Sequence, residues 1–304
     1  MKKTTALLLP LTALLALLTA CKPATSSTES DKLRILTTFL PVHAHAASVA
    51  GDRAQVDILV TGDIGVHDFS PRPADMARIA KADILVFNGA GIEPWLEDLV
   101  RNARNPNLRL VNLADNMELL PSPPRFGMAG EDDDEPNPHT WLDPVLAIQQ
   151  VETLRDALIA ADPEGADLYQ ANAAAYLERL RELDADFQRI LGPLPAKQLV
   201  TFHDAFPYFA RRYGFESLGY ISEFPERDPA PAELAALIDR IRAAGVGVLF
   251  AETGYAPALL QRVAAETGAR VSTLNTLEIG PSGPKAYLDG MRENLEALRA
   301  AFAE

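Results

Sequence analysis

Asp167-Leu168-Tyr169-Gln170-Ala171-Asn172-Ala173-Ala174-Ala175-Tyr176-Leu177-Glu178-Arg179-Leu180-Arg181-Glu182-Leu183-Asp184-Ala185-Asp186-Phe187-Gln188-Arg189-Ile190-Leu191 contains neither proline nor glycine. Leu168, Ala171, Ala175, Leu177, Leu180, Leu183 and Phe187 recur in it at helical spacing, which predicts one uninterrupted helix. At 1.5 Å per residue, about 25 residues reach roughly 37 Å, long enough to run along two small domains and tie them together. Such a connector limits how far the two can swing as rigid bodies.

Short apolar runs on both sides of this helix alternate with segments of helical period, a pattern of α/β folds with mostly parallel sheets. Four strand candidates precede it: Leu33 to Thr38, Val56 to Val60, Ile84 to Phe87 and Arg109 to Leu113. Four follow it: Gln198 to Phe202, Ser217 to Tyr220, Val246 to Phe250 and Arg270 to Leu274. The halves also resemble each other. Pro73-Ala74-Asp75-Met76 opens a helix that leads to Ile84-Leu85-Val86-Phe87, then Gly91 and Pro94. Pro231-Ala232-Glu233-Leu234 opens another that leads to Val246-Gly247-Val248-Leu249-Phe250, then Gly254 and Pro257, with the same interval from glycine to proline. The expected organisation is therefore two similar lobes, each a small doubly wound sheet, at 32–165 and 192–304, joined by a helix over 166–191.

The start of the chain has the three parts of an export signal: Lys2-Lys3, an apolar stretch from about Thr4 to Leu18, and small residues before Cys21. The stretch is shorter than the roughly 20 residues a membrane span needs, and Pro10 interrupts it. Leu18-Thr19-Ala20-Cys21 resembles the bacterial lipobox, so 1–20 is expected to be removed and Cys21 acylated, holding the protein on a membrane surface. Cys21 is the only cysteine, which excludes an intramolecular disulfide and a thiolate metal site. Residues 21–31 are polar and read as a flexible tether. The formal charge of −14 becomes −16 when Lys2 and Lys3 leave, which argues against nucleic acid as a partner.

Only five histidines occur. Three fall after strand candidates or before a helix, where open α/β sheets place their binding crevice. His67 stands in His67-Asp68-Phe69-Ser70-Pro71-Arg72-Pro73, and His139 in Asn137-Pro138-His139-Thr140-Trp141-Leu142-Asp143-Pro144, where Asp143 and Pro144 mark a helix start. His203 directly follows Gln198 to Phe202. Prolines stiffen the first two loops, so little conformational freedom is lost when a cation is gripped. The three read as ligands of one metal ion, His67 and His139 from the first lobe and His203 from the second; neutral imidazole suits zinc and its first-row neighbours. A site shared by two lobes would make the loaded shape distinguishable from the empty one. Protons compete for imidazole nitrogen, so binding should weaken below about pH 6.

From about Leu33 to its end the chain resembles the metal-binding lipoproteins, zinc/manganese solute-binding proteins of ABC importers, most closely through the motifs around His67 and His139. The resemblance implies two α/β lobes bridged by one long helix, and His67, His139 and His203 as ligands. It implies a membrane permease and a separate ATPase as partners, since no phosphate-binding loop occurs in this chain. Manganese-type relatives tend to carry a carboxylate where His203 stands, so zinc is expected ahead of manganese. Many relatives supply an aspartate after the last strand; the matching residue is Asn275, taken as the tentative fourth ligand, with water, Glu278 or Glu252 as alternatives. Glu252 could equally orient a histidine by a hydrogen bond.

His43 and His45, two residues apart, point in different directions if that segment is helical, and read as cleft wall or surface. The acidic run Glu131 to Glu135 reads as a solvated loop. Two other functions fit parts of the pattern. Three histidines with an open position also describe a zinc hydrolase, but no His-Glu-x-x-His arrangement or clear general base accompanies them. A surface adhesin leaves the ligand set unexplained.

Overall fold

Strand after strand in this chain is an apolar run too short to stand alone, and the structure pairs them in parallel with helices as crossovers. The computed structural model describes residues 32–123, 126, 136–194, 197–221, 230–254 and 258–302. The export signal, Cys21, the tether, Glu131 to Glu135 and Pro257 lie outside the described residues.

The first half runs β1 (Leu33–Thr37), α1 (Leu40–Ala50), β2 (Ala54–Ile58), α2 (Pro73–Ile79), β3 (Ile84–Phe87), α3 (Leu96–Ala103), β4 (Arg109–Asn112) and α4 (Pro144–Ala161). The long helix α5 (Ala166–Leu191) follows. The second half runs β5 (Gln198–Thr201), α6 (Pro207–Tyr213), β6 (Glu216–Tyr220), α7 (Pro231–Ala244), β7 (Val248–Glu252), α8 (Ala258–Thr267), β8 (Arg270–Leu274) and α9 (Ala286–Phe302). One sheet has the order β2-β1-β3-β4 and the other β6-β5-β7-β8, the same winding twice, so the repeat seen in the sequence is a repeat of topology. Among the described residues no helix is long and apolar enough to cross a membrane.

The third strand-like run of the C-terminal half sits two residues later than its apolar residues suggest. Val246 is used by the end of α7: its N–H donates to the Ile241 carbonyl after Gly245 turns left-handed at φ 66°. The strand therefore starts at Val248 and carries Glu252 to its carboxyl end.

Side chains of the second sheet alternate between two cores. Leu199, Val248 and Phe250 join a cluster that also holds Ile35, Leu85, Leu177 and Leu288, whereas Val200, Leu249 and Ala251 join a smaller one with Leu237, Ile241 and Val263. The larger cluster runs through both lobes. Helix α5, packed against α1, α4, α6 and α9, forms its spine.

The buried stripe of α5 differs in its first half from the aliphatic spacing. Leu168, Ala171 and Ala175 face outward, and Tyr169, Ala173 and Tyr176 are buried in their place. Both tyrosines take partners for their hydroxyls, Asp162 Oδ2 at 2.7 Å and His45 Nδ1 at 3.1 Å, which removes the penalty for burying them. From Leu177 onward the expected residues are the buried ones.

Asp143 joins the halves at the start of α4. It is the N-cap, accepting from Val145 N–H at 2.8 Å, and both its oxygens lie 3.0 Å from Arg212 Nε of α6. Asp143→Ala removes the cap and leaves Arg212 without its carboxylate. Loss of the cap alone costs about 1 kcal/mol, so a drop of at least that size is expected in urea melts of the metal-free protein, and an unchanged midpoint would refute this role.

Candidate metal centre

Three loops and one helix start converge on a single point between the sheets. The backbone pairing of β1 and β2 continues past β2, with Leu59 and Val60 N–H donating to Thr37 and Thr38 carbonyls, and then the chain leaves for the loop that carries His67. Phe69 anchors that loop by packing edge-on against Trp95, ring centroids 4.7 Å apart. His203 lies two residues beyond β5, where Thr201 Oγ1 donates to its carbonyl at 2.6 Å. His139 lies in the stretch that leads into α4.

His67 Nε2 is 3.3 Å from His139 Nε2, which is 3.2 Å from His203 Nε2. The fourth member is Glu278: its carboxylate oxygens stand 3.9 Å from His67 Nε2, 3.9 Å from His139 Nε2 and 3.8 Å from His203 Nε2. The four donor atoms all lie within 4.8 Å of one another. Zinc–nitrogen bonds of about 2.05 Å in a tetrahedron put neighbouring ligand atoms about 3.3 Å apart. The imidazole spacings already match that edge.

The three sequence-named histidines are thus brought together, and Asn275 is not among them. Its Oδ1 accepts from Leu277 N–H at 2.8 Å, an Asx turn, and its Nδ2 donates to Glu293 at 3.3 Å. The turn, with Leu277 left-handed at φ 65°, swings the chain so that Glu278 points into the cleft. An Asx turn was the available sign: asparagine just past a strand reads as a turn former as readily as a ligand. Glu252 is not at the centre either. It accepts from His203 N–H at 2.8 Å, and its other oxygen makes a short contact with His203 Nδ1.

The second nitrogen of each buried imidazole is thereby held by an oxygen, which leaves Nε2 free to face the centre. Asn137 does for His139 what Glu252 does for His203, its Oδ1 accepting from His139 N–H and facing Nδ1, both at 3.0 Å. Asn137 Nδ2 donates in turn to Asp204 Oδ2 at 3.0 Å and to the Asp204 carbonyl at 2.8 Å. Asn137 stands in the His139 motif, but nothing in a single sequence marks it as the orienting group.

The His139 segment is bonded to both lobes. Pro138 carbonyl accepts from Asn88 Nδ2 of the first lobe at 2.9 Å. From the second, Tyr208 hydroxyl donates to the Asn137 carbonyl at 2.6 Å and Tyr287 hydroxyl to the Trp141 carbonyl at 2.8 Å. Trp141 Nε1 donates at 2.8 Å to the carbonyl of Thr276, two residues before Glu278.

The electrostatics fit a cation. Burial, and then the neighbouring His203 and His67, hold the His139 imidazole well below its usual range, so it is neutral and ready to coordinate. Burial works against a charged His203, but the Glu252 carboxylate outweighs it and lifts the ring to about 9. Burial pushes the Glu278 carboxyl upward despite the histidines that face it. Both Glu278 oxygens are buried without a hydrogen bond of ordinary geometry among the described residues, and the nearby Thr276 hydroxyl eases the charge only in part. His67 is the exception in burial: its side chain is 42% exposed, against 8% or less for the other three.

His43 and His45 both lie on α1 and join no metal-holding cluster among the described residues: His43 faces Thr37, and His45, wholly buried, meets Tyr176 and packs on Tyr287.

Two parallel sheets, a helical spine and a histidine-rich centre between the lobes define the class of two-lobed metal solute-binding proteins. The chain belongs to the family described as zinc-uptake complex component A, periplasmic, whose profile matches residues 35–301. It is 32% identical to the zinc-binding lipoprotein AdcA of Streptococcus pneumoniae over 98% of this chain, spanning about three-fifths (61%) of that longer relative. It is 27% identical to the manganese-binding lipoprotein MntA of Halalkalibacterium halodurans, over 92% of this chain and 91% of the relative. The zinc-bound ZnuA-like domain of Streptococcus pneumoniae AdcA superposes with a TM-score of 0.77 at 31% identity, over 90% of this chain and all of that one.

Proposed function

We propose that this protein captures one divalent metal ion, zinc in preference to manganese, between its lobes at 32–165 and 192–304, with His67, His139, His203 and Glu278 as ligands. It hands the ion to the permease of an ABC importer driven by a separate ATPase. It works outside the cytoplasmic membrane, held to the surface by an acylated Cys21, and performs no chemistry on its cargo.

The observation that carries this reading is the buried Glu278 carboxylate, its oxygens without a hydrogen bond of ordinary geometry among the described residues, facing three imidazole nitrogens with all four donor atoms within 4.8 Å of one another. A charge in that position is costly unless a cation meets it. Three nitrogens and one oxygen suit zinc better than manganese, which prefers more oxygen ligands. Glu278 and Glu252 together match the charge of a dication. A hydrolase would need a base at the centre, and the carboxylate beside it, Glu252, is committed to the His203 backbone and ring. The relatives named above as zinc- and manganese-binding lipoproteins support both the metal and the anchor.

The purified chain is expected to bind one zinc per molecule and to prefer zinc when zinc and manganese compete. Metal analysis and competitive titration test this; no uptake of either metal would overturn it.

A further inference from the structure

The loop between β2 and His67 and the loop between β8 and α9 meet at the mouth of the centre with no side chain between them. Gly280 N–H donates to the Gly62 carbonyl at 3.1 Å. The approach is close enough that a Cβ on Gly62 would lie 1.8 Å from the Gly280 carbonyl oxygen and 2.8 Å from the Gly280 carbonyl carbon and nitrogen. No side chain fits there. Gly62 is five residues before His67 and Gly280 two after Glu278, so this one contact joins the loops that carry two of the four clustered groups.

The Gly280 loop is also tied across the molecule by Trp141 Nε1 to the Thr276 carbonyl at 2.8 Å and by Ser48 Oγ to the Pro284 carbonyl at 3.0 Å. Both hold the loop itself in place. The glycine contact holds the His67 loop to it through the backbone. His139, by contrast, is fixed by the bonds of its own segment to both lobes, and His203 by Glu252 and β5.

We infer that the backbone clasp between Gly62 and Gly280 keeps the centre closed and sets how long a bound metal stays, although neither glycine touches the metal. This rests on the function proposed above. With the clasp shut, His67 is held against Glu278 and the ion is enclosed by all four groups. With it open, the His67 loop loses its backbone tie to the loop that carries Glu278, and the exposed imidazole can leave first. Closing by backbone rather than side chains makes the position intolerant of any substituent: one methyl group at 62 must push the loops apart.

The test uses the full chain loaded with zinc and measures release into excess EDTA by stopped flow. Gly62→Ala should bind one zinc like the wild type but release it at least about tenfold faster, since a hydrogen bond and a close packing contact are both lost. Unchanged release from a folded Gly62→Ala protein would overturn the clasp while leaving the metal-binding function intact. A wild-type chain that takes up no zinc overturns that function, and the clasp's role in residence with it. Should Gly62→Ala fail to fold, amide exchange in the wild type decides: the Gly280 N–H should be protected, more strongly with zinc bound. Exchange at the rate of a free glycine amide in the loaded protein would overturn the inference.

Discussion

Glu278→Gln is expected to lower zinc affinity by roughly a hundredfold or more, at or beyond the upper end of what removing a ligand's supporting partner costs, while making the metal-free protein harder to melt. The two effects have opposite signs because the carboxylate is placed for the loaded state. In the empty protein it is a buried anion whose oxygens close no hydrogen bond of ordinary geometry among the described residues, and burial outweighs the attraction of His67 and His203 and the partial help of the Thr276 hydroxyl. An acid whose proton is held more tightly when folded destabilises the fold once ionised. The neutral amide keeps the shape and removes the charge, so the melting temperature in the presence of EDTA should rise by a few degrees. With zinc added, the order should reverse. Saturation stabilises the wild type by RT ln(1 + [L]/Kd), about 2.7 kcal/mol at a hundred times Kd, and the variant gains little at the same concentration. Thermal melts with and without zinc, together with competitive titration, check both halves. Affinity within a few-fold of wild type would remove Glu278 from the ligand set; a lower melting point without metal would show the carboxylate to be satisfied as it stands.

That Glu278 and not Asn275 faces the histidines shows where a sequence stops being readable. Strands, the connecting helix and the three histidines follow from period, proline placement and position after strands, all local signals. The repeated winding of the two sheets was visible for the same reason, as two proline-started helices each leading to a four- or five-residue apolar run. The fourth group depends on the path of a loop. Counting from the end of β8 reaches Asn275 first, but its side chain closes a turn on Leu277 N–H, and only the left-handed residue after that aims Glu278 inward. Non-local partners were hidden too. Glu252 could be suspected of orienting a histidine because it ends a strand beside the cleft, whereas Asn137 needed Asp204, 67 residues away, to be recognised as the support of His139. The early turns of α5 misled for a related reason: aliphatic spacing cannot see that Asp162 and His45 supply partners for two buried tyrosines.

The three histidines, equal in the sequence, should be unequal in effect, with His139→Ala the most damaging and His67→Ala the least. His139 sits between the other two at 3.3 and 3.2 Å, is wholly buried, and its ring is fixed by Asn137. Its loss takes away the middle ligand, orphans Asn137 Oδ1 and opens a hole inside the protein that solvent reaches poorly. Zinc binding should fall by well over a hundredfold, beyond the 10–100-fold typical of losing a supporting partner. His67 is at the mouth with its side chain 42% exposed. Its loss leaves two histidines and a glutamate, a set that holds zinc when water takes the fourth place, and water has access from that side. His67→Ala should therefore still bind one zinc, with lower affinity and faster release. Cobalt substitution separates the cases: His67→Ala should keep a visible ligand-field spectrum, changed in shape as water replaces nitrogen, and His139→Ala should lose it at matched cobalt. If His67→Ala proved as damaging as His139→Ala, the exposed imidazole would have to be as indispensable as the buried one, and the picture of an enclosed trio closed off by a single outer ligand would fail.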